Sequence, residues 1–108
     1  MKAEVFEKLC KRLVTSLLDI RILSMLRNSN PLSGSDIIAS VHNEFGFLMS
    51  PGTIYSVLYS LEREGLIEGK WDQRRRVYTL TRKGEKNIKL LLQSSEKILE
   101  TIKEIFHR

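Results

Sequence analysis

Residues 50–81 constrain the fold of this 108-residue chain more than any other stretch, because two hydrophobic periods meet inside them. Ser50 followed by Pro51 is a strong helix start. A serine hydroxyl accepts a free backbone N–H there, and proline at the first helical position forfeits no intrahelical hydrogen bond. Ile54, Val57, Leu58 and Leu61 then recur at i, i+3, i+4 and i+7, one apolar stripe, and Gly65 is placed to end the helix. After Gly65 the period shortens. Residues 66–72 and 76–81 read as two strands around Gln73-Arg74-Arg75, a hairpin with a cationic tip. A helix with one apolar face leading straight into a basic hairpin leaves few architectures open.

Upstream, Phe6, Leu9, Leu13, Leu17 and Ile20 follow three- and four-residue steps, so residues 3–27 read as a bent helix that Asn28 to Pro31 stops. A second helix is expected from Ser33, where Ser33 and Asp36 have the spacing of a capping box. Ile37, Ile38, Val41 and Phe45 form its stripe, and Gly46 ends it. Downstream, Thr81 is a candidate cap for a last helix, in which Ile88, Leu91, Leu92, Ser95, Ile98, Leu99, Ile102, Ile105 and Phe106 keep a repeat of seven. If continuous, that helix is roughly 39 Å long at about 1.5 Å per residue, and its seam asks for a partner.

Charge is distributed unevenly. The total is +5, yet residues 28–69 hold Arg63 against five acids, whereas residues 70–83 hold six bases against Asp72 alone. The basic excess is therefore local to the hairpin. No apolar run approaches a membrane span, the N-terminus carries no apolar leader, and 42% apolar content suits a globular fold. Cys10 stands alone, which excludes an internal disulfide and fits a reducing cytoplasm. With His42 and His107 scattered, no metal site is expected and no cofactor is implied. There is no phosphate-binding glycine loop and no nucleophile motif, so an enzyme is not expected.

Helix, short helix, turn, helix and basic hairpin is the order of a mainly α winged helix-turn-helix, here with a two-stranded antiparallel wing and a long C-terminal dimerisation helix. In one domain, 1–108, residues 1–27 contribute to the dimer, 28–81 form the winged unit and 82–108 the dimerisation helix. Small and hydrogen-bonding side chains suit base edges, which nominates Ser50, Gly52, Thr53, Tyr55, Ser56 and Tyr59. Phosphates ask for cations at a protruding tip, which nominates Lys70, Arg74, Arg75 and Arg76. Phe6, Leu9 and Leu13 are expected to meet Ile88, Leu91, Leu92, Ile98, Leu99, Ile102, Ile105 and Phe106 across a homodimer. Arg63 is read as offsetting its helix dipole or pairing with Glu62 and Glu64, Trp71 as covering the base of the hairpin, and Cys10 as a buried, inert thiol.

The run Pro51-Gly-Thr-Ile-Tyr-Ser-Val-Leu-Tyr-Ser-Leu-Glu-Arg-Glu-Gly-Leu-Ile67 resembles the signature of the PadR family of prokaryotic transcriptional regulators. Leu18 to Leu23, Pro31 to Ile37 and Arg76 to Gly84 extend the resemblance, which covers about residues 13–92. Ser56 stands where the family often has proline, and Ser35 where it often has tyrosine. The resemblance implies a homodimeric regulator, usually a repressor, acting on double-stranded DNA at a palindromic operator and often answering a small-molecule effector. Its last helix is implied to pack on the partner's first. Two other readings stand beside it. One is a protein-interaction winged helix, argued from the acidic stretch 28–69. The other is a ligand sensor with its effector at the dimer interface near Phe6, Trp71 and Phe106.

Overall fold

The computed structural model describes residues 2–108. In chain order the elements are α1 (Lys2–Ser16), α2 (Leu18–Leu26), β1 (Leu32–Ser33), α3 (Gly34–Phe45), α4 (Pro51–Arg63), β2 (Ile67–Asp72), β3 (Arg75–Leu80), α5 (Arg82–Gln93) and α6 (Ser95–Ile105). The expected bend in the first helix is a break at Leu17, with φ −109° and ψ 18°. Each helix start of the winged unit is capped as its sequence predicts. Ser33 Oγ accepts the Asp36 N–H at 3.1 Å while Asp36 returns a carboxylate to the Ser33 N–H at 2.9 Å, a complete capping box. Ser50 accepts the Thr53 N–H and Thr81 the Gly84 N–H. Gly46 and Gly65 close α3 and α4 in left-handed backbone, at φ +74° and +77°.

The sheet differs from a two-stranded wing. Its order is β1-β3-β2, all antiparallel, because Leu32 and Ser33 pair with Tyr78 and Val77. A two-residue strand between a proline and a helix cap has no alternation to read, so its pairing is set by where α3 docks. The hairpin register pairs Asp72 with Arg75, leaving Gln73-Arg74 as the turn, and Gln73 takes φ +59°. Arg75 is thus the first residue of β3.

The core gathers Leu18, Ile22, Leu23 and Leu26 of α2, Ile37 and Val41 of α3, Ile54, Leu58 and Leu61 of α4, Met49, Leu66, Ile67, Tyr78 and Ile88. Ile88 belongs to this core, fully buried, and Leu91 packs against it. Ile88 is therefore not free for an intermolecular seam, which corrects its assignment to the dimer face, whereas Leu91 is only half-buried. The heptad repeat concealed this change because α5 faces the core of its own chain. The long last helix is also interrupted. Ser94 Oγ donates back to the Leu90 carbonyl at 2.9 Å, and its backbone leaves helical geometry with ψ 7°, separating α5 from α6.

Beyond Ser94 the chain buries nothing: no residue of α6 is buried, nor is any described residue of α1. Phe6, Leu9, Leu13, Leu92, Leu99, Ile105 and Phe106 are exposed, and Ile98 and Ile102 are half-buried. Among the described residues no helix is long and apolar enough to cross a membrane.

Candidate nucleic-acid interface

The outer face of α4 is small, polar and aromatic. Gly52, Ser56 and Tyr59 are exposed on it. Ser50 and Thr53, at its N-terminus, are engaged with one another: their hydroxyl oxygens lie 3.0 Å apart besides the capping bond. Tyr59 carries the Arg63 guanidinium over its ring, 5.4 Å from the centroid. Arg63 therefore stacks on its own helix, and Glu62, which the sequence offered as its partner, is taken elsewhere.

Tyr55 is 45% exposed, but its ring is fixed from behind. A Cβ added to Gly34 would lie 2.5 Å from the Tyr55 ring and hydroxyl, so the tyrosine rests directly on the first turn of α3. Beside this contact lies a groove of about 470 Å³ lined by Ser33, Gly34 and Ser35 of the α3 start, Tyr55 of α4, and Trp71, Arg74, Arg75, Arg76 and Tyr78 of the wing. Three elements far apart in sequence thus meet at one surface.

The wing cations are not equivalent. Among the described residues Arg74, at the tip, makes no ion pair within 4 Å. Arg75 lies 3.7 Å from Asp36 Oδ2, and Lys70 lies 3.7 Å from Glu68, both loose and exposed. Arg76 is different: its Nη2 donates to Glu62 Oε2 at 2.6 Å, and its guanidinium covers the Trp71 ring at 5.9 Å. The sequence grouped Arg76 with the outward cations, whereas its charge is already engaged. Trp71 itself is 69% exposed, so it does not bury the base of the hairpin and packs under Arg76 instead.

The electrostatics follow these contacts. Asp36 is held below the usual carboxylate range, chiefly by the Ser33 N–H, then by the Ser33 hydroxyl, with Arg75 adding to both. The Glu62 carboxylate raises Arg76 further, keeping it charged. Tyr78 is pushed up by burial first and by the Glu62 charge second. The acidic stretch 28–69 is taken up in part by ion pairs. Glu44 and Glu62 sit in close pairs with Arg21 and Arg76, at 2.9 and 2.6 Å, while Asp36 and Glu68 face bases only loosely, at 3.7 Å. Asp36 and Glu62 were invisible as site residues in the sequence, since both act on the wing across long separations. Cys10 is half-buried rather than enclosed, and no cluster of metal-ligating side chains occurs among the described residues.

Comparison with known proteins agrees with this architecture. The Transcriptional regulator PadR-like family matches residues 22–90. A PadR family transcriptional regulator from Eggerthella lenta superposes with a TM-score of 0.80 at 20% identity, covering 98% of this chain and 96% of its own. A PadR-like transcription factor from Bacteroides fragilis reaches 0.71 at 27% identity, covering 91% and 98%. Bacillus subtilis PadR, solved in complex with operator DNA, matches with a TM-score of 0.62 at 30% identity over 70% of this chain, which spans about half (47%) of that protein. No curated protein sequence matches at a comparable level. With the family match spanning most of the chain, its winged unit included, the chain belongs to the PadR-like family of transcriptional regulators.

Proposed function

We propose that this chain is a homodimeric, sequence-specific DNA-binding repressor that acts in the cytoplasm on a palindromic operator and has no catalytic activity. The observation that carries the reading is the groove in which the α3 start, Tyr55 of α4 and the arginines of the wing share one surface. Bacillus subtilis PadR, a structural relative, was solved in complex with operator DNA, which supports duplex DNA as the partner. Gly52, Ser56 and Tyr59, with Tyr55 behind them, read base edges in the major groove; Ser50 and Thr53 present the helix start to a phosphate. Lys70, Arg74 and Arg75 hold the backbone beside it. Neither pair that Lys70 and Arg75 make is tight, so each exchanges a solvated carboxylate for a phosphate.

Phe6, Leu9, Leu13, Leu92, Ile98, Leu99, Ile102, Ile105 and Phe106 form the dimer contact, closing apolar faces that the monomer leaves open. A two-fold pair then presents two reading helices to half-sites about one helical turn apart.

Binding to duplex DNA, measured by fluorescence anisotropy across a range of salt concentrations, tests the reading. Replacing Arg74 and Arg75 with alanine is expected to flatten the slope of log K against log salt by about 0.9 for each phosphate that a wing no longer neutralises. An unchanged slope overturns the assignment of the wing to phosphate.

A further inference from the structure

Arg76 is the wing cation that does not reach outward, and three separate contacts explain why. Its guanidinium is held by Glu62 at 2.6 Å, on the last turn of α4. It lies over Trp71, its direct partner across the hairpin. Diagonal to it, two residues before Trp71 on the same face of β2, stands Gly69. A Cβ there would come within 2.6 Å of Arg76 Nε and 2.8 Å of Cζ and Nη2, so any larger residue would displace the guanidinium. The bridge therefore has a carboxylate at one end, an aromatic face below and a space left open for it. Side-chain exposures of 34% for Arg76 and 31% for Glu62 shield the pair from solvent more than the loose pairs of Arg75 and Lys70.

The location of the bridge gives it leverage. At its base the wing is tied to the end of α4 by the Leu66 N–H to the Leu61 carbonyl, 2.9 Å, and by the Thr81 hydroxyl to the Gly65 carbonyl, 2.6 Å. Together with the pairing of Val77 and Tyr78 to β1 and the burial of Ile67 and Tyr78, those bonds fix the inner half of the wing. Past Val77 the outer end of the hairpin is tied back to the helices by the tight Glu62 bridge to Arg76 and the loose Asp36 pair of Arg75, so Glu62 is the firmer hold on where that end lies. The planar, forked guanidinium suits this task, since it bonds in its plane and stacks on its face together.

We infer that Glu62, Arg76, Trp71 and Gly69 form a strut that fixes the angle between wing and reading helix, making Arg76 a positioning residue for operator fit and not a phosphate ligand. The inference rests on the DNA-binding reading proposed above. It has a consequence opposite in sign to simple electrostatics. Removing the Glu62 charge takes a negative group away from a DNA-facing surface and frees a cation, which by charge alone strengthens binding to any sequence. As a strut, its removal weakens the fit to the preferred sequence.

The experiment compares wild type, Glu62→Gln and Arg76→Lys on two probes, a duplex enriched by the wild-type protein from a randomised library and calf-thymus DNA. Arg76→Lys keeps the charge but not the fork, and it stands in if Glu62→Gln melts early. Because Trp71 is the only tryptophan in the chain, its emission reads the bridge without DNA. The strut predicts altered Trp71 emission in both variants and unweakened binding to calf-thymus DNA. It also predicts a loss of about tenfold on the enriched duplex, the scale of one mismatched base pair. Wild-type or better affinity of Glu62→Gln for the enriched duplex, or full retention by Arg76→Lys, overturns the positioning role. Unchanged Trp71 emission in both variants overturns the bridge itself. If the wild-type protein enriches no duplex, the DNA reading fails and the positioning role with it, an outcome distinct from either of these.

Discussion

Asp36 accepts the Ser33 N–H at 2.9 Å to complete a helix cap and also faces the Arg75 guanidinium at 3.7 Å, so one carboxylate serves both α3 and the wing. Its pKa in the folded chain lies below the ordinary aspartate value of 3.8, because the Ser33 N–H, the Ser33 hydroxyl and Arg75 all favour the charged form. A depressed carboxylate stabilises the fold fully above its unfolded pKa and loses that contribution as pH falls through the folded value. Asp36→Asn is therefore expected to lower unfolding free energy at pH 7, with the gap to wild type narrowing below about pH 4. Urea denaturation at both pH values checks it, and a gap that does not narrow contradicts the role of the charge. The capping half of this role was legible in the Ser33-to-Asp36 spacing. The wing half was not, since nothing local to Asp36 indicates that Arg75 folds back beside it.

Among the elements, α4 was the best read. Ser50, Pro51, the Ile54-to-Leu61 stripe and Gly65 all act within a few residues of themselves, through capping, propensity and i to i+4 packing. Leu58, 1% exposed at the centre of that stripe, meets the core from one side and carries the reading face on the other. Leu58→Ala is expected to cost about 2–5 kcal/mol, measured by chemical denaturation, since a buried leucine leaves a cavity when truncated. The last helix was read less well. Its heptad pattern is continuous through Ser94, but the same spacing suits a helix packed on its own core, as α5 is around Ile88, and one left open, as α6 is. Periodicity shows which side of a helix is apolar and carries no information about what covers it.

For the whole molecule, the shape indicates what remains uncovered. The radius of gyration is 15.1 Å, with extents of 51 × 30 × 21 Å, against about 13 Å for a compact chain of this length. The excess accompanies apolar side chains left bare at both termini: Val5 is 72% exposed and Ile105 75%. In the proposed dimer these faces close on each other, and two-fold symmetry delivers two wings and two reading helices to one DNA duplex. Leu99→Lys, on the 63% exposed Leu99, is expected to shift the chain toward monomer in sedimentation. It should also weaken binding to a two-half-site duplex far more than to a single half-site. A variant that stays dimeric removes α6 from the interface.

The basic excess on residues 70–83 looked from composition like one uniform phosphate-binding tip. The fold divides it into Arg74 at the turn, Lys70 and Arg75 in loose pairs, Arg76 in a bridge to α4, and Arg82 and Lys83 at the start of α5, where Lys83 donates to the Glu64 carbonyl. Capping, helix stripes, hairpin position and the location of charge were set by neighbours a few residues apart, so they follow from the order of residues. The third strand, the burial of Ile88, the seating of Tyr55 on Gly34 and the pairing of Glu62 with Arg76 join elements separated along the chain. Those were decided only when the helices packed, because the free energy of an ion pair or a buried side chain depends on what surrounds it.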